Sequence, residues 1–106
     1  MHYELYVDAK GNHRWRLKSG ERQILALAGE GFASKPRARA AATSFKSRAS
    51  SWSYVVYEDL VGKYRWRVRE SDGKRIACSG EPFTSRPKAE RAAEHVRVVA
   101  ATATGP

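Results

Sequence analysis

The sequence predicts an α+β fold, with two tandem β3-α units forming one pseudo-twofold domain around an antiparallel sheet and two packed helices. Three observations carry this expectation. The chain repeats itself at an offset of 51 residues without gaps, and self-similarity at a fixed period governs how the rest is read. Each copy opens with three short alternating, strand-like segments punctuated by turn residues. Each then closes with an alanine-rich stripe of helical period behind a Ser and a Pro.

Placing Tyr3 to Arg48 above Tyr54 to Val99 aligns YELYVDAKGNHRWRL with YVVYEDLVGKYRWRV, and AGEGFASKPRARAA with SGEPFTSRPKAERAA. The whole chain, 1–106, then reads as a single domain: repeat one 1–50, repeat two 51–99 and a short C-terminal tail 100–106. Two copies are too few for a solenoid, so they are expected to pair about a pseudo-twofold, an internal version of an isologous dimer.

The first strands run Tyr3 to Asp8 and Ser53 to Asp59. Asp8 and Asp59 precede Gly11 and Gly62 by three residues, a spacing at which Asp bonds the turn and Gly supplies positive φ. In the second strand His13, Trp15 and Leu17 point one way and Arg14, Arg16 and Lys18 the other. Tyr64, Trp66 and Val68 alternate likewise with Arg65, Arg67 and Arg69, so one face is core and the other wet. A second turn, Ser19 to Arg22 or Ser71 to Lys74, leads to third strands Ile24 to Ala28 and Arg75 to Ser79. Ser34 and Ser85 are N-caps, each followed by a proline in the first turn, where a missing N–H costs nothing. Ala38, Ala41, Ala42, Phe45 and Ala89, Ala92, Ala93, Val96 form the apolar stripes. The tail, without bulky residues, is expected to be an extended or frayed end.

With 106 residues the chain buries enough surface for one core and not for two. No apolar run reaches the roughly 18 residues of a membrane span, and no charged-then-apolar leader opens the chain, which predicts a cytoplasmic protein without membrane contact. Cys78 is the single cysteine, so no internal disulfide forms. Lys and Arg number 20 against 11 Asp and Glu, a net charge of +9 with pI near 10.1. The partners such a balance admits are polyanions: nucleic acid or an acidic protein. The excess leans toward the first copy, ten basic and four acidic residues in 1–50 against ten and seven in 51–106.

Two candidate surfaces follow. The first is the duplicated stripe Arg14, Arg16, Lys18 and Arg65, Arg67, Arg69, whose i, i+2 spacing of roughly 7 Å approximates the distance between successive phosphates of a nucleic-acid strand. The competing reading is a solvated face whose guanidinium groups pair with carboxylates on neighbouring strands. The second is the first helix, where Lys35, Arg37, Arg39, Lys46 and Arg48 occur without an acidic residue. Tyr6, Tyr57, Trp52 and Tyr64 would stack on unpaired bases if exposed, whereas Trp15 and Trp66, opposite the arginines, are read as core.

Enzyme signals are weak throughout, and no catalytic residue, cofactor or metal is expected. Cys78 aligns with Leu27 and His13 with Tyr64, positions that a plain hydrophobic or aromatic residue fills. His2, His13 and His95 lack metal-ligand spacing. Glu30 and Glu81 are a symmetric carboxylate pair, but each sits in a Gly-flanked turn. The functions left are a non-catalytic module contacting nucleic-acid phosphates or, alternatively, a protein–protein interaction or scaffold module with no nucleic-acid role.

The features Y-x-x-Y-x-D, Gly, Arg-Trp-Arg, G-E-x-F, S-[KR]-P and an Ala-rich helix, given twice, resemble the YegP-like family of uncharacterised small bacterial proteins over nearly the whole chain. The resemblance implies two β3-α-β units assembled around one sheet that exchange their last strands, here within one chain, so a monomer with internal pseudo-dimer symmetry. It implies no activity. Ser19-Gly20-Glu21-Arg22 departs from the pattern by not reproducing the aligned Asp72-Gly73 turn.

Overall fold

The computed structural model describes residues 1–20 and 22–106, so Glu21 and with it the centre of the turn expected over Ser19–Arg22 lie outside the described residues. The elements run β1 (His2–Val7), β2 (His13–Ser19), β3 (Gln23–Ala28), α1 (Lys35–Ser47), β4 (Tyr54–Glu58), β5 (Tyr64–Arg69), β6 (Arg75–Ser79) and α2 (Arg86–Val99). All six strands join one antiparallel sheet in the order β1-β2-β3-β6-β5-β4. That order is palindromic in the repeats, and the β3–β6 pair, Leu27 facing Cys78, marks the pseudo-twofold. The fold class expected from the repeat is the one observed.

Local chemistry explains each element. Asp8 Oδ1 accepts from the Lys10 and Asn12 amides, both at 2.9 Å, while Gly11 adopts φ +83°. Asp59 repeats this with Val61 and Lys63, and Gly62 takes φ +82°. The Ser34 and Ser85 hydroxyls accept from the Arg37 and Lys88 amides at 3.3 Å, with Pro36 and Pro87 in the first turn. In the other β-turns the positive-φ glycines are Gly20 and Gly73. Gly20 aligns with Ser71 and not with Gly73, so the two copies place that glycine two positions apart.

Both helices cover the same sheet face and share one core. Trp15, Leu17, Trp66 and Val68 are buried beneath Ala42, Phe45, Ala93 and Val96. Trp15 stacks on Phe45 with centroids 4.9 Å apart, and Tyr54 meets Trp66 edge-on at 5.4 Å. The alanine stripes let each helix approach the sheet closely, and the single large residue per helix fills the remaining depth.

Cross-repeat ties close the pseudo-dimer. Tyr3 Oη donates to the Ala100 carbonyl beyond α2, and Tyr54 Oη donates to the Ala49 carbonyl beyond α1, each at 2.8 Å. Lys46 Nζ reaches the Gly105 carbonyl at 2.7 Å, and its counterpart Arg97 donates to Ser50 and Trp52 carbonyls at 3.0 Å. Residues 100–106 are therefore not a frayed end. Ala100 and Ala103 are buried, Thr104 pairs in parallel with His2, and the Tyr3 amide donates to the Thr104 carbonyl at 2.8 Å. The lack of bulk that suggested fraying is what lets the tail seat against β1, where a single isolated bridge, not the expected exchanged terminal strand, joins it to the sheet.

Candidate anion-binding site

Register assigns the stripes to the sheet face opposite the helices. One row of paired residues crosses it completely: Glu4, Arg16, Leu27, Cys78, Arg67, Val55. Its two halves are related by the pseudo-twofold, and only at the ends does the charge differ: Glu4 in repeat one answers to Val55 in repeat two, while the central Leu27 answers to the uncharged Cys78.

That exchange decides the electrostatics. In repeat one every cation of the stripe is compensated. Arg14 Nε donates to Asp8 Oδ2 at 2.8 Å, Arg16 Nε and Nη2 both donate to Glu4 Oε1, the former at 2.6 Å, and Lys18 Nζ lies 4.0 Å from Glu4 Oε2. Among the described residues Arg65 is the one cation of the repeat-two stripe that is paired, with Asp59 at 3.0 Å. Among the described residues no carboxylate lies within ion-pair distance of Arg67 or Arg69. Arg69 moreover pairs across the strands with Arg75, where repeat one sets Lys18 against Ile24. Like charges placed directly opposite destabilise a sheet.

The uncompensated residues line a concavity of about 310 Å³ formed by Gly29, Tyr57, Arg67, Arg69, Arg75 and Cys78. The Arg67 guanidinium stacks 4.7 Å over the Tyr57 ring, as Arg16 stacks 4.4 Å over Tyr6, so both are held in place. Such an arrangement can bind an oxyanion through planar N–H forks.

The other sequence candidates separate. Lys35, Arg37 and Arg39 are exposed on α1, in the layer covering the opposite face, so helix and stripe do not form one continuous flat surface. Lys35 and Arg37 stand at the positive end of the helix dipole with no acidic residue in that turn, which raises the local positive potential. Trp52 is buried, its indole N–H donating to the Phe45 carbonyl at 3.3 Å beneath the Arg48 guanidinium, and is withdrawn as a stacking platform. The rings of Tyr6, Tyr57 and Tyr64 each carry a guanidinium on one face. Glu30 and Glu81 line separate clefts, beside α1 and α2, and are not brought together. Arg75 escaped the sequence reading because a β-bulge at Val68/Arg69 turns it onto this face.

Burial pushes the Cys78 thiol up despite Arg14 and Arg65 nearby, which disfavours the thiolate. The carboxyls move the other way. The hydrogen bond from Arg16 holds Glu4 low, that from Arg14 holds Asp8 low, and the Lys63 amide followed by Arg65 holds Asp59 low. A depressed folded-state pKa gives stability present above the unfolded carboxylate range, about 4, and lost as pH falls through the folded values. Urea midpoints should therefore drop between pH 5 and pH 2, and Asp59→Asn should flatten that dependence; an unchanged acid slope in the variant would contradict the pairing.

A sheet and two helices built from a duplicated β3-α unit, with a basic open face, define the class of protein. The chain belongs to the family described as Domain of unknown function (DUF1508), whose model matches residues 8–53 and 59–104. It is similar to the UPF0339 protein NMB1088 of Neisseria meningitidis serogroup B, 43% identical over 51 residues, covering 48% of this chain and 89% of that protein. The UPF0339 protein NMA1193/NMA1859 of serogroup A matches equally. Among solved structures, the protein of unknown function yegP from E. coli superposes with a TM-score of 0.79 at 19% identity, covering 97% of this chain and 88% of that one. UPF0339 protein SO3888 from Shewanella oneidensis gives 0.77 at 17%, covering 97% and 86%. The YegP-like family expected from the motifs is thus the family found.

Proposed function

We propose that this protein is a non-catalytic binding module that holds nucleic-acid phosphates on the open sheet face of repeat two, with the basic α1 adding long-range attraction. The observation that carries the reading is the clustering of Arg67, Arg69 and Arg75 around Gly29 and Cys78 with no carboxylate among the described residues to neutralise Arg67 or Arg69, while the equivalent cations of repeat one are paired. A raised thiol pKa supports a non-catalytic role, a lone free cysteine fits a reducing cytoplasm, and burial of both repeats' apolar faces within one chain fits a monomer. Among the described residues no helix is long and apolar enough to cross a membrane.

Fluorescence anisotropy with labelled single- and double-stranded oligonucleotides at about 50 mM salt tests the reading. Affinity should fall steeply with added salt. Arg67→Ser with Arg69→Ser should weaken binding by about tenfold and lower the salt slope by about two, because each lost phosphate contact removes about one. Arg14→Ser, already neutralised by Asp8, should change it little. Undetectable binding, or equal losses from Arg14 and Arg67, would overturn the proposal. The protein–protein reading draws on Leu60 and Val61, which stand 106% and 80% exposed at the β4–β5 turn. It predicts a partner captured after nuclease treatment whose binding tolerates salt and is lost in Leu60→Ser.

A further inference from the structure

The pseudo-twofold lets one half of the molecule report on the other. In repeat one Glu4 stands opposite Arg16, and its carboxylate takes hydrogen bonds from Arg16 Nε and Nη2 and lies 4.0 Å from Lys18 Nζ. In repeat two Arg67 and Arg69 take the places of Arg16 and Lys18, and Tyr57 supports Arg67 as Tyr6 supports Arg16. Only the anion is missing from the constellation, because position 55 is a valine, 48% exposed at the sheet edge.

We infer that repeat two holds a single phosphate group in the seat that the Glu4 carboxylate fills in repeat one, above Val55 and between Arg67 and Arg69. Carboxylate and phosphate oxygens are alike as acceptors for a guanidinium, so Glu4, whose Oε1 takes both Arg16 donors while Oε2 faces Lys18, acts as a built-in occupant of one seat and marks the place of the other. Val55 leaves room for an external oxyanion, and Arg75 beside Arg69 adds positive potential that repeat one, with Ile24 there, does not have. The phosphate belongs to a nucleic-acid strand or is free in solution. This assignment rests on the phosphate-binding reading above, and the two fail separately.

The test is an NMR titration of the full chain with inorganic phosphate, and in a second arm with a short oligonucleotide, following backbone amides and arginine Nε–H signals. In the unaltered protein phosphate should move Val55, Arg67 and Arg69 with a stoichiometry of one and leave Glu4 and Arg16 still. Val55→Glu should fill the seat and weaken phosphate binding at least tenfold. Glu4→Val should open a second seat, adding responses at Arg16 and Lys18 and raising the stoichiometry to two. Both changes lie on the open sheet face, Glu4 on β1 and Val55 on β4, and an unchanged circular dichroism spectrum will confirm folding. Phosphate responses absent from Arg67 and Arg69, or unaltered by Val55→Glu, would overturn the assignment. Oligonucleotide binding that survives Val55→Glu sinks the seat and spares the binding module. Phosphate held in the seat with no oligonucleotide bound spares the seat and removes nucleic acid as its source.

Discussion

Trp66→Ala is expected to lower the unfolding free energy by about 3–5 kcal/mol, the range for deleting a fully buried large aromatic. Trp66 is completely inaccessible, packs edge-on against Tyr54 and belongs to the single core beneath both helices. Its partner across the pseudo-twofold, Trp15, is sandwiched by Tyr3 and Phe45, whereas the α2 counterpart of Phe45 is Val96. Trp66→Phe should cost markedly less than Trp66→Ala. The ring contact with Tyr54 remains, and the Trp66 indole N–H is, among the described residues, a buried donor without an acceptor, so its removal relieves a desolvation cost. Urea denaturation followed by circular dichroism checks both; a Phe variant as unstable as the Ala variant would contradict this account.

Gly80→Ala is expected to cost about 3 kcal/mol, the upper end of the overpacking range. A Cβ there would press into the Ile24 carbonyl oxygen, 2.8 Å from its carbonyl carbon and 2.6 Å from its Cγ2. Gly29 repeats the arrangement against Arg75, with the carbonyl carbon at 2.7 Å. Backbone cannot yield as a flexible side chain does, so the β3–β6 seam must open. Gly73→Ala makes the contrast: nothing lies within 4 Å of that Cβ, and the penalty there is confined to its φ of +88°. Thermal midpoints should rank Gly80→Ala below Gly73→Ala, and the reverse order would refute close approach as the reason for the glycine.

The repeat carried most of the architecture into the sequence. Alternation of Trp15 and Leu17 with Arg14 and Arg16 gave the two faces of β2 directly, because side chains on a strand alternate by steric necessity. The helix caps were equally legible, since Ser followed by Pro answers a need of the helix N-terminus alone. What stayed hidden depends on pairing between segments. Glu4 and Asp8 neutralise the first stripe through cross-strand and turn geometry that only the register fixes. The signal was nevertheless present: the Asp8–Gly11 turn sets the β1–β2 register, and the alignment pairs Glu4 with Val55. The bulges that turn Arg75 outward have no local marker of that kind. The tail was misjudged for a related reason, as it is buried against β1 at the far end of the chain, which no window along the sequence can reveal. Trp52 is different, since the partners of its ring, Phe45 and Arg48, lie seven and four residues upstream.

The reciprocal ties from Tyr3 to Ala100 and from Tyr54 to Ala49 make the two halves a dimer joined by a peptide. In a homodimer of identical subunits, any acid introduced opposite an arginine would appear at both ends of the sheet, and neither end could specialise. A covalent link between the copies lifts that constraint. One copy has been free to quench the charge of its stripe, while among the described residues its twin leaves two arginines of the same stripe without a carboxylate.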